Sequence, residues 1–237
     1  MPTDDYSGVR LTAIAINGRT WSCHGCGALW LLIALWLGFA SAGNRESGSG
    51  LIPWVAEKYG AAAAERVLDW RRLMSSNRDL NEQSKLVLVN DFFNHLKFST
   101  DFRLWGKADY WATPVEALGI GGADCEDYSI AKYFTLRELG VADDKLRIMY
   151  VKALSLDQAH MVLIYHQTPG SIPLVLDNLN SKILPADQRP DLAPVYSFNA
   201  TNLWLAKSRG RGEHVGGSER IGLWRRLRKR MEIEAER

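Results

Sequence analysis

The sequence has 237 residues, of which 46% are hydrophobic and 24% are charged, with 8 Pro and 20 Gly. This composition excludes collagen-like, low-complexity and wholly disordered chains, and the length suits one domain with tails. The formal net charge of +2 is too small to indicate a nucleic-acid-binding protein, so we expect no nucleic-acid partner.

An apolar run near the N-terminus predicts an export signal. Residues 28–40 carry no charge, Arg10 and Arg19 precede them, and Ala40-Ser41-Ala42 supplies the small residues that a signal peptidase recognises. We therefore predict a cleavable signal peptide over residues 1–42. A buried helix and a retained anchor are the alternatives, although the run is shorter than the roughly 20 residues of a membrane span.

Removal of this segment leaves one cysteine in the mature chain. Cys23 and Cys26 have the spacing of a redox or zinc pair, but two ligands do not complete a zinc site, and both residues lie in the predicted signal. Cys125 would then be an unpaired thiol in an exported protein, where thiols are exposed to oxidation. It is therefore either a buried apolar residue or a nucleophile.

Apolar periodicity predicts helices in the first part of the mature chain and strands in the second. The predicted helices are 61–74, 86–98 and 129–139, with an irregular segment over 105–118. The predicted strands are 147–153, 160–166 and 173–177. The turn sequence Thr168-Pro169-Gly170-Ser171 indicates a hairpin between the last two strands. Helices followed by an antiparallel sheet make an α+β domain, to which we assign residues 43–206.

The remaining segment, residues 207–237, is strongly basic. It contains ten Lys or Arg residues against five Asp or Glu residues, together with several glycines. This composition favours a solvated appendage, so we predict a flexible C-terminal tail that could end in a short helix.

Three residues in the predicted domain have the chemistry of a thiol protease. Cys125 follows the N-cap residue Asp124, and free backbone N–H groups at a helix start favour a thiolate and can hold an oxyanion. His160 opens one predicted strand and Asp177 closes the next, so an antiparallel hairpin would bring the two side chains together. The order predicts a Cys-His-Asp triad in which Asp177 orients the imidazole.

Acidic side chains surround the predicted nucleophile. Asp124, Glu126 and Asp127 would raise the pKa of the Cys125 thiol, so a cation, either an imidazolium or a metal ion, must offset them. With that compensation we predict a depressed thiol pKa. Three carboxylates within four residues could begin the oxygen-rich shell of Ca²⁺, or they could only complement the helix dipole.

Five strings in the predicted domain are distinctive: VNDFFN (89–94), DYWATPVEAL (109–118), DCEDYSIAKYF (124–134), HMVLIY (160–165) and LVLDNL (174–179). Together they resemble the bacterial transglutaminase-like cysteine proteinases of the LapG type, within the papain/transglutaminase-like superfamily. The resemblance extends over about residues 51–205 and includes all three positions of the predicted triad. Ala123, where the family more often has Gly, is a small departure.

The resemblance implies a periplasmic cysteine endopeptidase that cleaves the N-terminal region of a large cell-surface adhesin, which releases the adhesin and favours biofilm dispersal. The implied nucleophile, base and orienting acid are Cys125, His160 and Asp177. Calcium dependence is also implied, with ligands from Asp124, Glu126 and Asp127. A further implied partner is an inner-membrane second-messenger receptor whose periplasmic domain sequesters the protease.

Two alternatives of different classes stay open at this point. The same triad could transfer its acyl group to an amine, as a transglutaminase-like acyltransferase or amidase. The domain could also be a non-enzymatic, calcium-stabilised binding module. A Cys125→Ala protein that kept its full biological effect would favour the module.

Overall fold

A helical layer packed on one face of an antiparallel sheet positions the candidate site. The computed structural model describes residues 50–206 and 212–237, so the predicted signal peptide and the pair Cys23 and Cys26 lie outside the described residues. Within the described ranges, no helix has both the length and the apolar character needed to cross a membrane.

Between residue 50 and the segment that carries Cys125, the structure has five helices. They are α1 (Leu51–Tyr59), α2 (Ala61–Ser76), α3 (Glu82–Asn94), α4 (Asp101–Trp105) and α5 (Pro114–Ile120). The start of α3 is fixed by the Asn81 side chain, which accepts the backbone N–H of Ser84 at 2.9 Å. The start of α5 is a capping box in which Thr113 and Glu116 each accept the backbone N–H of the other residue.

The sheet is built from two antiparallel meanders. A short parallel pair, β1 (Lys97–Phe98) and β2 (Gly122–Ala123), lies outside it. The strands of the main sheet are β3 (Leu146–Ala153), β4 (Gln158–Tyr165), β5 (Leu174–Leu176), β6 (Leu184–Pro185), β7 (Leu192–Phe198), β8 (Asn202–Leu205) and β9 (Glu213–Gly217). Their spatial order is β6-β5-β4-β3-β7-β8-β9, and each neighbouring pair is antiparallel.

Helix α6 (Cys125–Glu138) is the centre of the core and lies between α3 and the sheet. Ile130, Tyr133 and Leu136 are almost completely buried along it. The core also buries Lys132, whose ammonium donates to Oδ1 of Asn90 on α3 at 2.9 Å. Burial lowers the pKa of Lys132 to about 7. This helix is therefore held from several sides, which fixes the position of its first residue.

The α+β class is confirmed, and the predicted elements differ from the structure mainly at their ends. The helices predicted over 61–74, 86–98 and 129–139 correspond to α2, α3 and α6, and the three predicted strands correspond to β3, β4 and β5. The predicted hairpin is present, with Leu163 paired to Leu176 between β4 and β5. The segment expected to be irregular contains most of α5.

The expectation of a flexible tail is wrong for residues 212–237. These residues form β9 and the helix α7 (Gly222–Ala235), and Trp224 and Leu227 on α7 are 1% and 0% exposed. Trp224 stacks on Phe134 of α6, so the folded domain continues past residue 206. The physical reason is that α7 is amphipathic, with Trp224 and Leu227 on its buried face and most of its basic residues exposed. The spacing of apolar residues along the helix, and not the net charge, decides whether such a segment packs on the core.

Candidate active site

Cys125 is the first residue of α6, directly after the short strand β2. Its thiol donates to Oε2 of Glu126 at 3.1 Å, and the backbone N–H of Met161 on β4 also bonds to the sulfur. Burial, followed by the charge and the hydrogen bond of Glu126, raises the pKa of the thiol. This direction is opposite to the predicted depression of the thiol pKa, mainly because the thiol is buried, and the acidic neighbours add to the effect.

His160 and Asp177 form a hydrogen-bonded pair across the hairpin of β4 and β5. Nε2 of His160 lies 2.8 Å from Oδ1 of Asp177, and the two residues are only 2% and 1% exposed. The same carboxylate oxygen accepts the backbone N–H of Leu179 at 2.9 Å. Asn94, at the end of α3, donates to the backbone carbonyl of Asp177 at 2.9 Å and holds the end of the strand.

Arg189, which sequence reasoning missed, binds the other oxygen of this carboxylate. Its Nη2 donates to Oδ2 of Asp177 at 2.7 Å, and it also pairs with Asp191. Burial alone would raise the pKa of Asp177. The hydrogen bond and charge of His160, the N–H of Leu179 and the guanidinium outweigh that effect and lower the pKa from 3.8 to about 2.

The thiol of Cys125 and the imidazole of His160 lie on neighbouring elements, because α6 packs against β4. The residue that bonds to the sulfur through its backbone, Met161, directly follows His160 in β4. Because Nε2 of His160 is bound to Asp177, the ring has Nδ1 left for the thiol. The geometry suits proton transfer from a nucleophile to an imidazole that a carboxylate orients.

The predicted metal ligands fall into two groups that share a residue from α4. Carboxylate oxygens of Asp101, Asp124 and Asp127 lie within 4.8 Å of one another, and so do those of Asp101, Asp109 and Glu126. Asp124 and Asp127 are thus brought together, whereas Glu126 belongs to the second group. Sequence reasoning missed Asp101 and Asp109. No spacing marks them, because Asp101 comes near the start of α6 through the pairing of β1 with β2, and Asp109 lies in the loop after α4.

Calcium fits the chemistry of this cluster. Among the described residues, Oδ1 of Asp101 and Oδ1 of Asp124 are buried without a hydrogen-bond partner. Burial, together with the neighbouring carboxylates, raises the pKa of Asp101 to about 6 and that of Asp124 to about 10, and raises the pKa of Asp127 as well. A buried group of oxygen donors with excess negative charge is what a hard divalent cation requires.

Backbone amides before α5 hold the acidic cluster in place. The N–H of Tyr110 donates to Oδ2 of Asp101 at 2.6 Å, and the N–H of Ala112 donates to Oδ1 of Asp127 at 2.7 Å. Between them, the carbonyl of Trp111 accepts a hydrogen bond from Arg230 of α7. The C-terminal helix is therefore linked directly to the loop that supports the cluster.

The comparisons with known proteins agree with this geometry. A family model described as bacterial transglutaminase-like cysteine proteinase matches residues 62–204. The chain belongs to this family. The cysteine-proteinase family and its fold predicted from the sequence are thereby confirmed. A comparison with curated protein sequences gave no match.

Solved structures of LapG from Legionella pneumophila are similar over most of this chain. The EGTA-treated form is 46% identical, with a TM-score of 0.69, and covers 78% of this chain and 97% of its own. A second LapG structure has 45% identity, a TM-score of 0.68 and the same coverage. The calcium-bound form has 48% identity and a TM-score of 0.65, and covers 76% of this chain and 97% of its own.

Proposed function

We propose that this cysteine proteinase is a calcium-dependent periplasmic endopeptidase with Cys125, His160 and Asp177 as its triad. The observation that carries the proposal is the buried His160–Asp177 hydrogen bond beside a thiol at a helix start. A buried, oriented imidazole next to a cysteine is the arrangement that activates a thiol for acyl transfer. A binding module would have no need to hold this pair so tightly.

Peptide cleavage follows from the positions of these groups. His160 takes the thiol proton at Nδ1, and the sulfur of Cys125 attacks the carbonyl carbon of the scissile bond. Free backbone N–H groups at the start of α6 are available to the oxyanion. The imidazolium then protonates the leaving amine, the C–N bond breaks, and a thioester forms on Cys125. Water, deprotonated by His160, hydrolyses the thioester and regenerates the thiol.

Asp177 supports this sequence without exchanging a proton itself. Its carboxylate fixes the imidazole tautomer and stabilises the imidazolium that forms during each turnover. Because the pKa of Asp177 is about 2, the carboxylate stays ionised throughout the physiological range. Arg189 holds the carboxylate from the other side and so acts as a positioning residue.

We propose Asp101, Asp124 and Asp127, with Asp109 and Glu126 beside them, as the residues that hold Ca²⁺. When bound, the ion would supply positive charge to the buried carboxylates and order the loop next to Cys125. The calcium-bound LapG structure, at 48% identity, supports this assignment. Of the predicted ligands, Asp127 belongs to the group that contains Asp124, and Glu126 belongs to the group that contains Asp109.

The proposed substrate is the N-terminal region of a large surface adhesin, whose release would favour biofilm dispersal. The proposed partner is an inner-membrane second-messenger receptor with a periplasmic domain that sequesters the enzyme. Both proposals rest on the resemblance of the predicted domain to the LapG-type proteinases. The predicted signal peptide over residues 1–42 is consistent with the proposed periplasmic location.

The test is cleavage of cell-surface extracts, and of a recombinant adhesin N-terminal region, by the purified protein with calcium, magnesium or EGTA. We expect one discrete product with calcium, none with EGTA, and little with magnesium, which demands a smaller octahedral shell. Cys125→Ala and His160→Ala should abolish the product. His95→Ala, at an exposed histidine after α3, is the matched control and should retain it.

Other outcomes would contradict the proposal. Incorporation of an added amine into the substrate, without hydrolysis, would indicate an acyltransferase. Biological activity that survives Cys125→Ala would indicate a binding module. Full cleavage in EGTA would disprove the calcium dependence while leaving the triad intact.

A further inference from the structure

The sheet face that points away from α6 contains a cavity of about 140 Å³. Side chains alternate along a strand, so Leu163 and Leu176 face the main core while their neighbours face the other side. Four buried aliphatic side chains form a separate cluster on that second face and line the cavity: Val151, Val162, Ile164 and Val175. The cavity therefore has an apolar floor of its own.

Three nitrogen-bearing side chains also line this cavity, and each leaves one buried nitrogen without a hydrogen-bond partner among the described residues. These atoms are Nε of Arg147, Nε2 of His166 and Nη1 of Arg189. Arg189 is only 5% exposed. Buried polar atoms are normally satisfied, so three unpartnered nitrogens around one cavity indicate that a polar molecule completes them.

Charge differs between the two ends of the cavity. Arg189 is already paired with Asp177 and Asp191, so its free Nη1 suits a neutral acceptor. The guanidinium of Arg147 instead stacks on Trp204 at 3.8 Å, and burial is the only influence that shifts its pKa. A nearby carboxylate would counter that shift, so Arg147 is available to an anion.

The end of the cavity at Arg147 is also its mouth. Arg147 and His166 line both the cavity and an adjoining larger groove of about 860 Å³. The groove carries Asp144 and Asp187, which are exposed to water, and Lys145, which is already paired with Glu82. Of the described residues that line the mouth, Arg147 is thus the cation available to a ligand.

A ligand in the cavity also has to supply a hydrogen-bond donor to His166. Its Nδ1 lies 3.3 Å from the carbonyl oxygen of Ser171, to which it donates. In the neutral ring Nε2 then accepts, and it therefore needs an N–H donor. Burial, with the charge of Arg147, lowers the pKa of His166, which favours the neutral ring.

We propose that this cavity binds the C-terminal end of a short apolar peptide. The terminal carboxylate pairs with Arg147, and the last amide N–H donates to Nε2 of His166. The last side chain packs on the aliphatic floor, and a backbone carbonyl accepts Nη1–H of Arg189. Each unpartnered nitrogen then has a partner of the right charge.

Calorimetric titration of the Cys125→Ala protein with acetyl-Ala-Leu tests the proposal without turnover of the probe. We expect saturable binding with a Kd on the order of 1 mM for so small a ligand. Acetyl-Ala-Leu-amide, which lacks the carboxylate, and acetate, which lacks the apolar body, should each bind at least about tenfold more weakly. Equal binding of the acid and its amide would overturn the carboxylate assignment, and no saturable binding of the acid would overturn the site.

Variants locate the binding within the fold. Arg147→Gln should weaken acetyl-Ala-Leu binding about tenfold or more, because a charged hydrogen-bond donor is lost. Arg225→Gln, at an exposed arginine of α7, is the matched control and should leave the Kd unchanged. Val175→Phe should block the probe by filling the floor of the cavity. Unchanged binding in a folded Arg147→Gln or Val175→Phe protein would place the peptide elsewhere and overturn the proposal.

Discussion

Arg189 donates from Nη2 to Oδ2 of Asp177 at 2.7 Å, on the opposite side of the carboxylate from His160. The carboxylate therefore receives hydrogen bonds at both oxygens and has little freedom to rotate. Orientation of the imidazole depends on this arrangement, since a carboxylate that turned would take the ring with it. The arginine lies twelve residues after the aspartate, in the loop that follows β6.

Arg189→Gln should reduce kcat by roughly 10- to 100-fold, because one charged hydrogen bond to the orienting carboxylate is lost. KM should change little, since Arg189 has no proposed contact with the substrate. Arg189→Lys should recover part of the loss by restoring charge without the planar fork. Asp191→Asn, which changes the outer partner of the arginine, is the control and should have a smaller effect. Steady-state cleavage of the adhesin region measures all three, and a normal kcat in Arg189→Gln would exclude the positioning role.

Acid should remove the stabilisation that Asp177 provides. Its folded pKa of about 2 is below the unfolded value, so the contribution is complete above about pH 4 and is lost as the pH falls towards 2. A difference of this size corresponds to roughly 2 kcal/mol. Urea unfolding between pH 6 and pH 2 should show that the native protein has a larger free energy of unfolding than Asp177→Asn, and that this difference becomes smaller as the pH falls. A difference that does not change with pH would contradict the depressed pKa.

Asp101→Asn should weaken calcium binding more than any change at a single exposed acid. Asp101 belongs to both carboxylate groups, so one substitution removes a charge from each. We expect a smaller calcium-induced rise in Tm, because an ion that binds only the folded chain stabilises it by mass action. Asp187→Asn, at an exposed aspartate, should keep the full rise. The same calcium response in Asp101→Asn and in the native protein would remove Asp101 from the site.

Leu227→Ala should lower the free energy of unfolding by roughly 2–5 kcal/mol, as expected for a leucine removed from a core. Leu227 is 0% exposed on α7. Lys229→Ala, on the exposed face of the same helix, should have an effect within about 0.5 kcal/mol. Chemical denaturation measures both variants. If Leu227→Ala lowers the free energy of unfolding as little as Lys229→Ala does, α7 does not dock on the core in solution.

Glu234→Gln should stabilise the protein above neutral pH. Burial, together with the charge of Glu116, raises the pKa of Glu234 to about 7, while Thr113 and Arg230 partly oppose this. Since the folded pKa is above the unfolded one, stability falls as the pH rises from about 4.5 to 7. Glutamine keeps an acceptor for the Thr113 hydroxyl but cannot ionise. Tm values should therefore be similar near pH 4.5 and higher for the variant near pH 8, and the opposite order at pH 8 would contradict the raised pKa.

Local patterns were sufficient to predict the hairpin that joins His160 to Asp177. The two residues are seventeen positions apart, and alternation plus one strong turn fixes their strands as neighbours. The helix that begins at Cys125 was predicted for the same reason, since its N-cap and its apolar period lie within one short segment. These predictions needed no information about distant parts of the chain.

Contacts between distant segments could not be predicted in this way. Asp101 reaches the acidic cluster through the pairing of β1 with β2, and two-residue strands leave no periodic pattern. Arg189 lies in a loop whose path depends on the whole sheet. For the C-terminal segment the charge count was misleading, because Trp224 and Leu227 decide its docking, while most of the basic residues of α7 are exposed and Arg230 itself bonds to the domain.

The link between α7 and the loop before α5 has a consequence for the order of folding. The bonds from Arg230 to Trp111 and from Thr113 to Glu234 close loops of more than a hundred residues, whereas the His160–Asp177 hairpin closes a short one. Closing a longer loop costs more chain entropy, so we expect the hairpin to form early and the helix to dock late. A chain that lacks α7 would then have the proposed base and its orienting acid in place, but not the support that α7 gives to the acidic cluster.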